Sequence, residues 1–211
     1  MDIVIVRHGE SECNAAGKLQ GWLDSPLSER GRAQAALLGA WLGRIGFVWH
    51  RAYASPLSRA YETAQIAARA CHGDAPAQEP LLKEIGVGSL EGLTGAEIRA
   101  RHPDYGTKSL SQLGDFSEFG GESYDDVQAR VERMKQLLEQ LHRQNQEHVL
   151  LVSHGGFNLQ LVKRLISDAN PRTCFFEYGN CTATRVRMRI RRGVYVGEVS
   201  WHVPLELMGG G

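Results

Sequence analysis

Two short runs, Ile3-Val4-Ile5-Val6 and Val149-Leu150-Leu151-Val152, are apolar at every position. A strand with one wet face alternates apolar and polar residues. A run with no polar face needs cover on both sides, as in a parallel sheet held between layers of helices. Each run leads into a histidine followed by glycine: Arg7-His8-Gly9 after the first, Ser153-His154-Gly155-Gly156 after the second. The chain therefore places two imidazoles at the carboxyl ends of two buried strands, where open α/β sheets bind ligands.

The segments between these runs read as the covering helices. Ser28 can cap a helix over residues 29–43, with Ala33, Leu37, Ala40 and Trp41 on one face at helical spacing. Residues 51–54 form a weak strand. Ser55-Pro56 then reads as an N-cap and first helical residue, opening a helix to about Cys71 with a stripe of Ala64, Ala67, Ala68 and Cys71. Residues 78–82 suggest a third strand. Thr94-Gly95-Ala96-Glu97 is a capping box for a short helix that stops before Pro103. Residues 103–122 are rich in Gly, Ser and Asp and read as a loop. Ser123 opens a long amphipathic helix with Val127, Val131, Met134, Leu138 and Leu141 inward. A helix over 155–166 follows the second buried run. Two strand-like stretches between 182 and 203, split by Arg192-Gly193, predict an antiparallel hairpin. Residues 209–211 read as a flexible end. The expected fold is a three-layer α/β/α sandwich around a mostly parallel mixed sheet. It forms one domain over residues 1–211, with an insertion or lid at about 83–122.

Composition narrows the partners. The 211-residue chain holds 24 Lys+Arg against 24 Asp+Glu. A balanced surface argues against a broad nucleic-acid or membrane footprint, so any anion site must be local. No apolar run approaches the length of a membrane span. The start, Met1-Asp2-Ile3-Val4, has neither the basic nor the long apolar part of a signal peptide. Cys13, Cys71, Cys174 and Cys181 form no C-x-x-C pair, and no zinc-type spacing with histidines appears. Reduced thiols and a cytoplasmic location are expected.

Arg7 beside His8 couples a guanidinium that grips phosphate in bidentate fashion to an imidazole that can act as a covalent nucleophile. Gly9 lets the backbone turn there. Backbone amides from Gly155 at the helix start after His154 suit an anion. Arg59 falls in the first turn of its helix, where the macrodipole disfavours a cation unless an anion lies nearby.

Taken together the motifs resemble the histidine phosphatase superfamily, also called phosphoglycerate mutase-like. The matching residues are Arg7-His8-Gly9 with Asn14; Leu27-Ser28, Gly31 and Gln34-Ala35; Ser55, Leu57, Arg59-Ala60 and Thr63; Glu84, Gly88 and Glu91-Gly92. Gly120-Gly121-Glu122-Ser123, Ser153-His154-Gly155-Gly156 and Gly179-Asn180-Cys181 complete the set, in the family's order over nearly the whole chain. The resemblance implies that His8 is the nucleophile and forms a phosphohistidine. Arg7, Arg59 and His154 would surround the phosphoryl oxygens, where positioning and electrostatics supply most of the catalysis. Asn14 is implied as a neutral donor to the same oxygens, although its residue type also suits an Asx turn. Gln20 and Gly21 lie where the family's loop approaches substrate. Glu84 resembles the general acid that protonates the leaving alkoxide and then deprotonates water. For that it must start protonated, which burial or a neighbouring carboxylate would favour. Glu91 reads as a turn or supporting residue. Cationic side chains take the place of magnesium, so no metal or other cofactor is expected.

Family mutases that depend on a cofactor carry an Arg-His-Tyr-Gly run after the acid, where this chain has Ile85-Gly86-Val87-Gly88. That departure implies hydrolysis of a small phosphorylated metabolite rather than mutase chemistry. The insertion carries Tyr105, Phe116, Phe119 and Tyr124 with Lys108 as its cation, which argues against a second phosphate on the substrate. A phosphoglycerate mutase-type phosphotransferase, a catalytically silent phosphate-binding regulatory protein and a phosphatase of phosphorylated proteins stand as alternatives. The particular monoester and the oligomeric state are not legible.

Overall fold

The structure, a computed structural model, describes residues 1–106, 115–166 and 177–209. Among the described residues, six strands form one sheet: β1 (Asp2–Arg7), β2 (Arg51–Ala54), β3 (Ala77–Gln78), β4 (His148–Ser153), β5 (Ala183–Arg191) and β6 (Val194–Val203). Their spatial order is β3-β2-β4-β1-β5-β6. β1 to β4 run parallel, β5 pairs antiparallel with β1, and β6 pairs antiparallel with β5. The mixed sheet and the hairpin about Arg192-Gly193 match the sequence-based expectation.

Among the described residues, six helices accompany it: α1 (Glu12–Ala15), α2 (Glu29–Arg44), α3 (Ser58–Ala70), α4 (Gly95–Arg101), α5 (Tyr124–Arg143) and α6 (Gly155–Ile166). The two apolar runs serve both faces of the sheet. Ile3, Ile5, Val149 and Leu151 enter a core with the α5 and α6 residues Val131, Met134, Phe157 and Leu161. Val4, Val6, Leu150 and Val152 enter a second core with Leu38, Leu42, Ala64 and Ala67 of α2 and α3. Four successive buried residues thus stabilise two layers at once, and the helices flank the sheet as a sandwich requires.

Several local expectations shift. The inward face of α2 is Ala35, Leu38, Gly39, Trp41 and Leu42, while Ala33 and Ala40 are exposed and Leu37 is half-buried. Alanine and leucine occupy so much of this helix that periodicity leaves its face open. Gly39 decides it: a Cβ there would sit 2.4 Å from the Ala67 carbonyl, so α2 and α3 touch through Gly39 and the alanine stripe of α3. α3 starts at Ser58 with Leu57 as its cap, not at Pro56: Leu57 is extended, with ψ of 132°, and Ser58 N donates to Asp24 Oδ1 at 2.9 Å. The third strand is only Ala77–Gln78, since Pro80 turns the chain into a 3-10 turn, Pro80–Leu82. Within 103–122, short 3-10 turns span Pro103–Gly106 and Ser117–Phe119. Lys108, Cys174 and the last two residues lie outside the described residues, as does the side chain of Tyr105. No helix among the described residues is long and apolar enough to cross a membrane.

Candidate active site

The parallel register sets the site. β1 and β4 pair Arg7 with Ser153, so both strands end at the same level and His8 and His154 emerge side by side. Their rings meet edge to face with centroids 5.0 Å apart, and both are buried. β2 ends beside β4, bringing Ser55 within 2.8 Å of His154 Nε2.

The His8 tautomer follows from its neighbours. Nδ1 lies 2.6 Å from the Gly9 carbonyl oxygen, which can only accept, so the proton is on Nδ1. Nε2 therefore carries the lone pair. Arg59 Nε–H points at it from 3.3 Å. Arg59 is itself fully buried, and its two Nη groups donate to the carbonyls of Leu23 and Gly21, both at 2.9 Å. Those bonds aim the Arg59 side chain. Arg7 is anchored by a bond from Nη1 to the Tyr178 carbonyl. Its buried Nε has no partner among the described residues, and neither has Nδ1 of His154. Unpaired buried polar atoms are costly, and both belong to residues that the sequence assigns to the phosphoryl group.

Burial holds the pKa of His8 well below its usual 6.5, and the positive charges of Arg7 and Arg59 add to the effect against the opposing Gly9 bond. His154 is lowered in the same direction, first by burial and then by His8 and the arginines. Both imidazoles are therefore neutral near pH 7. A neutral His8 keeps its lone pair available, which nucleophilic attack requires.

Glu84 faces this pair from a segment without helix or strand. Its carboxylate accepts from Ile85 N at 3.0 Å, Phe157 N at 3.0 Å and Gly156 N at 3.3 Å. Its neighbours are thus amides at the start of α6 rather than the second carboxylate considered above.

A cavity of about 240 Å³ opens over these groups. Arg7, His8, Asn14, Gln20, Gly21, Arg59 and Glu84 all line it. Asn14 does both things its residue type allows. It completes a capping box with Ser11 in α1, and its Oδ1 accepts from Ser11 N and Asn180 Nδ2, leaving the Nδ2 end as donor. Gln20 Oε1 accepts from Ser11 Oγ at 2.8 Å. Gly156 lines the cavity, whereas Gly155 packs against the Arg7 side chain, with its Cβ position 3.6 Å from Arg7 Cδ. His154 stands behind His8, outside the lining. Glu91 is a support: its Oε1 accepts from Trp22 N at 2.8 Å.

The structure gives contacts to further residues that the sequence left without a role in the site. Ser55 orients His154. Thr63 accepts from Gly9 N at 3.0 Å. Asn180 donates to the His8 carbonyl at 3.1 Å, and Cys181, at φ 55°, donates its N–H to the carbonyls of Arg7 and His8. Burial pushes the Cys181 thiol up to about 12, so it is inert. Lys18, Leu19, Ile85, Val87 and Phe116 form the rest of the wall. Ser55, Thr63 and the turn around Asn180 were present in the matching motifs; Phe116 stood out as one of the aromatics of the insertion, and Lys18 carried no signal beyond residue type.

The family model of the histidine phosphatase superfamily, branch 1, matches residues 3–198. The chain belongs to the histidine phosphatase superfamily. A metal-independent phosphoserine phosphatase of Arabidopsis thaliana is 38% identical over 74% of this chain and 64% of its own length. Phosphoserine phosphatase 1 of Hydrogenobacter thermophilus is 35% identical over 91% of this chain and 89% of its own. A mycobacterial glucosyl-3-phosphoglycerate phosphatase, solved with VO3, superposes with a TM-score of 0.79 at 27% identity, covering 95% of this chain and 97% of that one. This histidine phosphatase is a phosphoric monoester hydrolase. Its fold is the phosphoglycerate mutase-like α/β sandwich.

Proposed function

We propose that the enzyme hydrolyses a small phosphomonoester without a metal, through a phosphohistidine on Nε2 of His8. The observation that carries this is the neutral His8, with its Nε2 lone pair turned to Arg59 at the floor of the cavity. In the first step Nε2 attacks phosphorus, the P–O bond to the leaving group breaks, and Glu84 gives its proton to the departing oxygen. In the second, water attacks phosphorus and passes a proton to Glu84, while the P–N bond breaks and its electron pair returns to Nε2. Arg7, Arg59 and the free donors of His154 and Asn14 meet the charge on the equatorial oxygens.

The wall favours hydrolysis over mutase chemistry. Ile85 and Val87 supply apolar surface where a mutase would need cations to hold a reorienting phosphoglycerate. A bounded cavity favours a small substrate over a phosphorylated protein. Lys18 at the rim is placed to meet a carboxylate, which both phosphoserine and glucosyl-3-phosphoglycerate carry. Phosphoserine therefore heads the substrate panel. The cytoplasm remains the compartment we propose.

The test is phosphate release from phosphoserine, glucosyl-3-phosphoglycerate and sugar phosphates in EDTA, with wild type and His8→Ala. Release lost in His8→Ala, with acid-labile and base-stable label on the wild type, is the expected result. Activity that survives His8→Ala would overturn the mechanism.

A further inference from the structure

Residues 83–87, which carry Glu84, have no regular secondary structure. Something else must hold the acid at a fixed distance from His8. Arg130, in the second turn of α5, has a side chain only 13% exposed, and Glu122 one only 11% exposed. Arg130 Nε donates to Glu122 Oε1 at 3.0 Å and Nη2 to Oε2 at 2.8 Å, a bidentate pair. Nη1 donates to the carbonyls of Leu81 at 2.8 Å and Lys83 at 2.6 Å, and Nη2 also to that of Glu84 at 3.2 Å. A guanidinium has five N–H groups, and these five acceptors use all of them. The Glu122 carboxylate continues the grip, accepting from Gly86 N at 2.8 Å, while Glu122 N donates to Gly86 O at 2.8 Å. The guanidinium also lies 4.5 Å above the Phe157 ring, and Phe157 N is one of the donors to the Glu84 carboxylate.

We propose that Arg130 and Glu122 form a positioning pair that sets the place of the Glu84 carboxyl. Neither lines the cavity over His8, so they act through Glu84. A buried ion pair of this kind is poor evidence for stability, since an apolar replacement is often as stable. What it supplies is geometry: carbonyls 81, 83 and 84 and both polar backbone groups of Gly86 are tied to one rigid fork. Gly121 closes the arrangement, because a Cβ there would lie 2.3 Å from Gly86 O. The inference rests on the general-acid reading of Glu84.

The experiment compares kcat/KM on phosphoserine with kcat/KM on p-nitrophenyl phosphate, whose leaving group departs without a proton. The variants are Glu84→Gln, Arg130→Lys and Glu122→Gln. kcat/KM reports only steps through phosphorylation of His8, so a slowed hydrolysis step does not mask the contrast. Misplacing a reacting group by about 1 Å costs about a hundredfold. Arg130→Lys and Glu122→Gln should each lose about ten- to a hundredfold on phosphoserine and less than about threefold on p-nitrophenyl phosphate. With the latter substrate they should show a burst of p-nitrophenol, because Glu84 also activates water. Glu122→Gln keeps the side-chain shape and answers the question if Arg130→Lys fails to fold. Equal losses on both substrates, or none, in these variants while Glu84→Gln is selective would overturn the positioning role. A Glu84→Gln that is itself unselective would instead overturn the acid reading beneath it.

Discussion

Lowering the pH should destabilise this enzyme through His8 and His154 in a calculable way. Both are buried and held neutral, with folded pKa values well below the unfolded 6.5. As pH falls through 6.5 the unfolded chain takes up protons that the folded one refuses, so the stability they contribute is present above that pH and lost below it. A histidine neutral in the fold throughout loses about tenfold in its folding constant between about pH 7.5 and about pH 5.5, or about 1.4 kcal/mol. The rings are 5.0 Å apart, but where both stay neutral in the fold their losses add, to at most about 2.7 kcal/mol. The assay is urea unfolding at the two pH values, without phosphate, because an anion bound only to the native state would shift the equilibrium. His8→Gln and His154→Gln should each lessen the pH dependence, by up to about 1.4 kcal/mol, since groups elsewhere contribute equally to both proteins. A His8→Gln protein with the full wild-type pH dependence would refute the claim that the fold holds this imidazole neutral.

Other outcomes follow from single contacts. Ser55→Ala removes the hydroxyl 2.8 Å from His154 Nε2 and should cost about 1–3 kcal/mol in urea unfolding, with kcat falling more than KM rises. Gly21→Ala places a Cβ 2.7 Å from Glu91 Oε1 at a residue with φ of 53°, so it should destabilise by about 1–3 kcal/mol and, by moving the carbonyl that aims Arg59, lower kcat/KM. Ser28→Ala deletes the N-cap of α2, which accepts from Gly31 N at 3.0 Å, and should lower stability by about 1 kcal/mol. Phe116→Ala strips an apolar wall from the cavity; steady-state kinetics should show a raised KM with kcat little changed.

The sheet was legible because burial on both faces leaves its mark directly on the residues: no polar side chain interrupts Ile3 to Val6 or Val149 to Val152. The long helix α5 was equally plain, its buried face being Val127, Val131, Met134, Leu138 and Leu141 as the spacing predicts. The face of α2 was not, because alanines fit either side of a helix and only contact with α3 through Gly39 chooses between them.

The same division runs through the site. Residue type and position drew attention to Arg7, His8, Arg59 and His154, and the family resemblance supplied the roles expected of them. Which nitrogen of His8 carries the proton came from the Gly9 carbonyl, a matter of distance rather than identity. Arg130 sits on α5 looking like any solvent-facing cation of an amphipathic helix, and only the folded chain brings it to the carbonyls of residues 81, 83 and 84. Sequence by itself determined which groups are the candidates for the chemistry, because burial and charge are written locally. Tertiary structure decided how Arg59 and His154 are aimed, because their bonds to Leu23, Gly21 and Ser55 join residues that are distant along the chain.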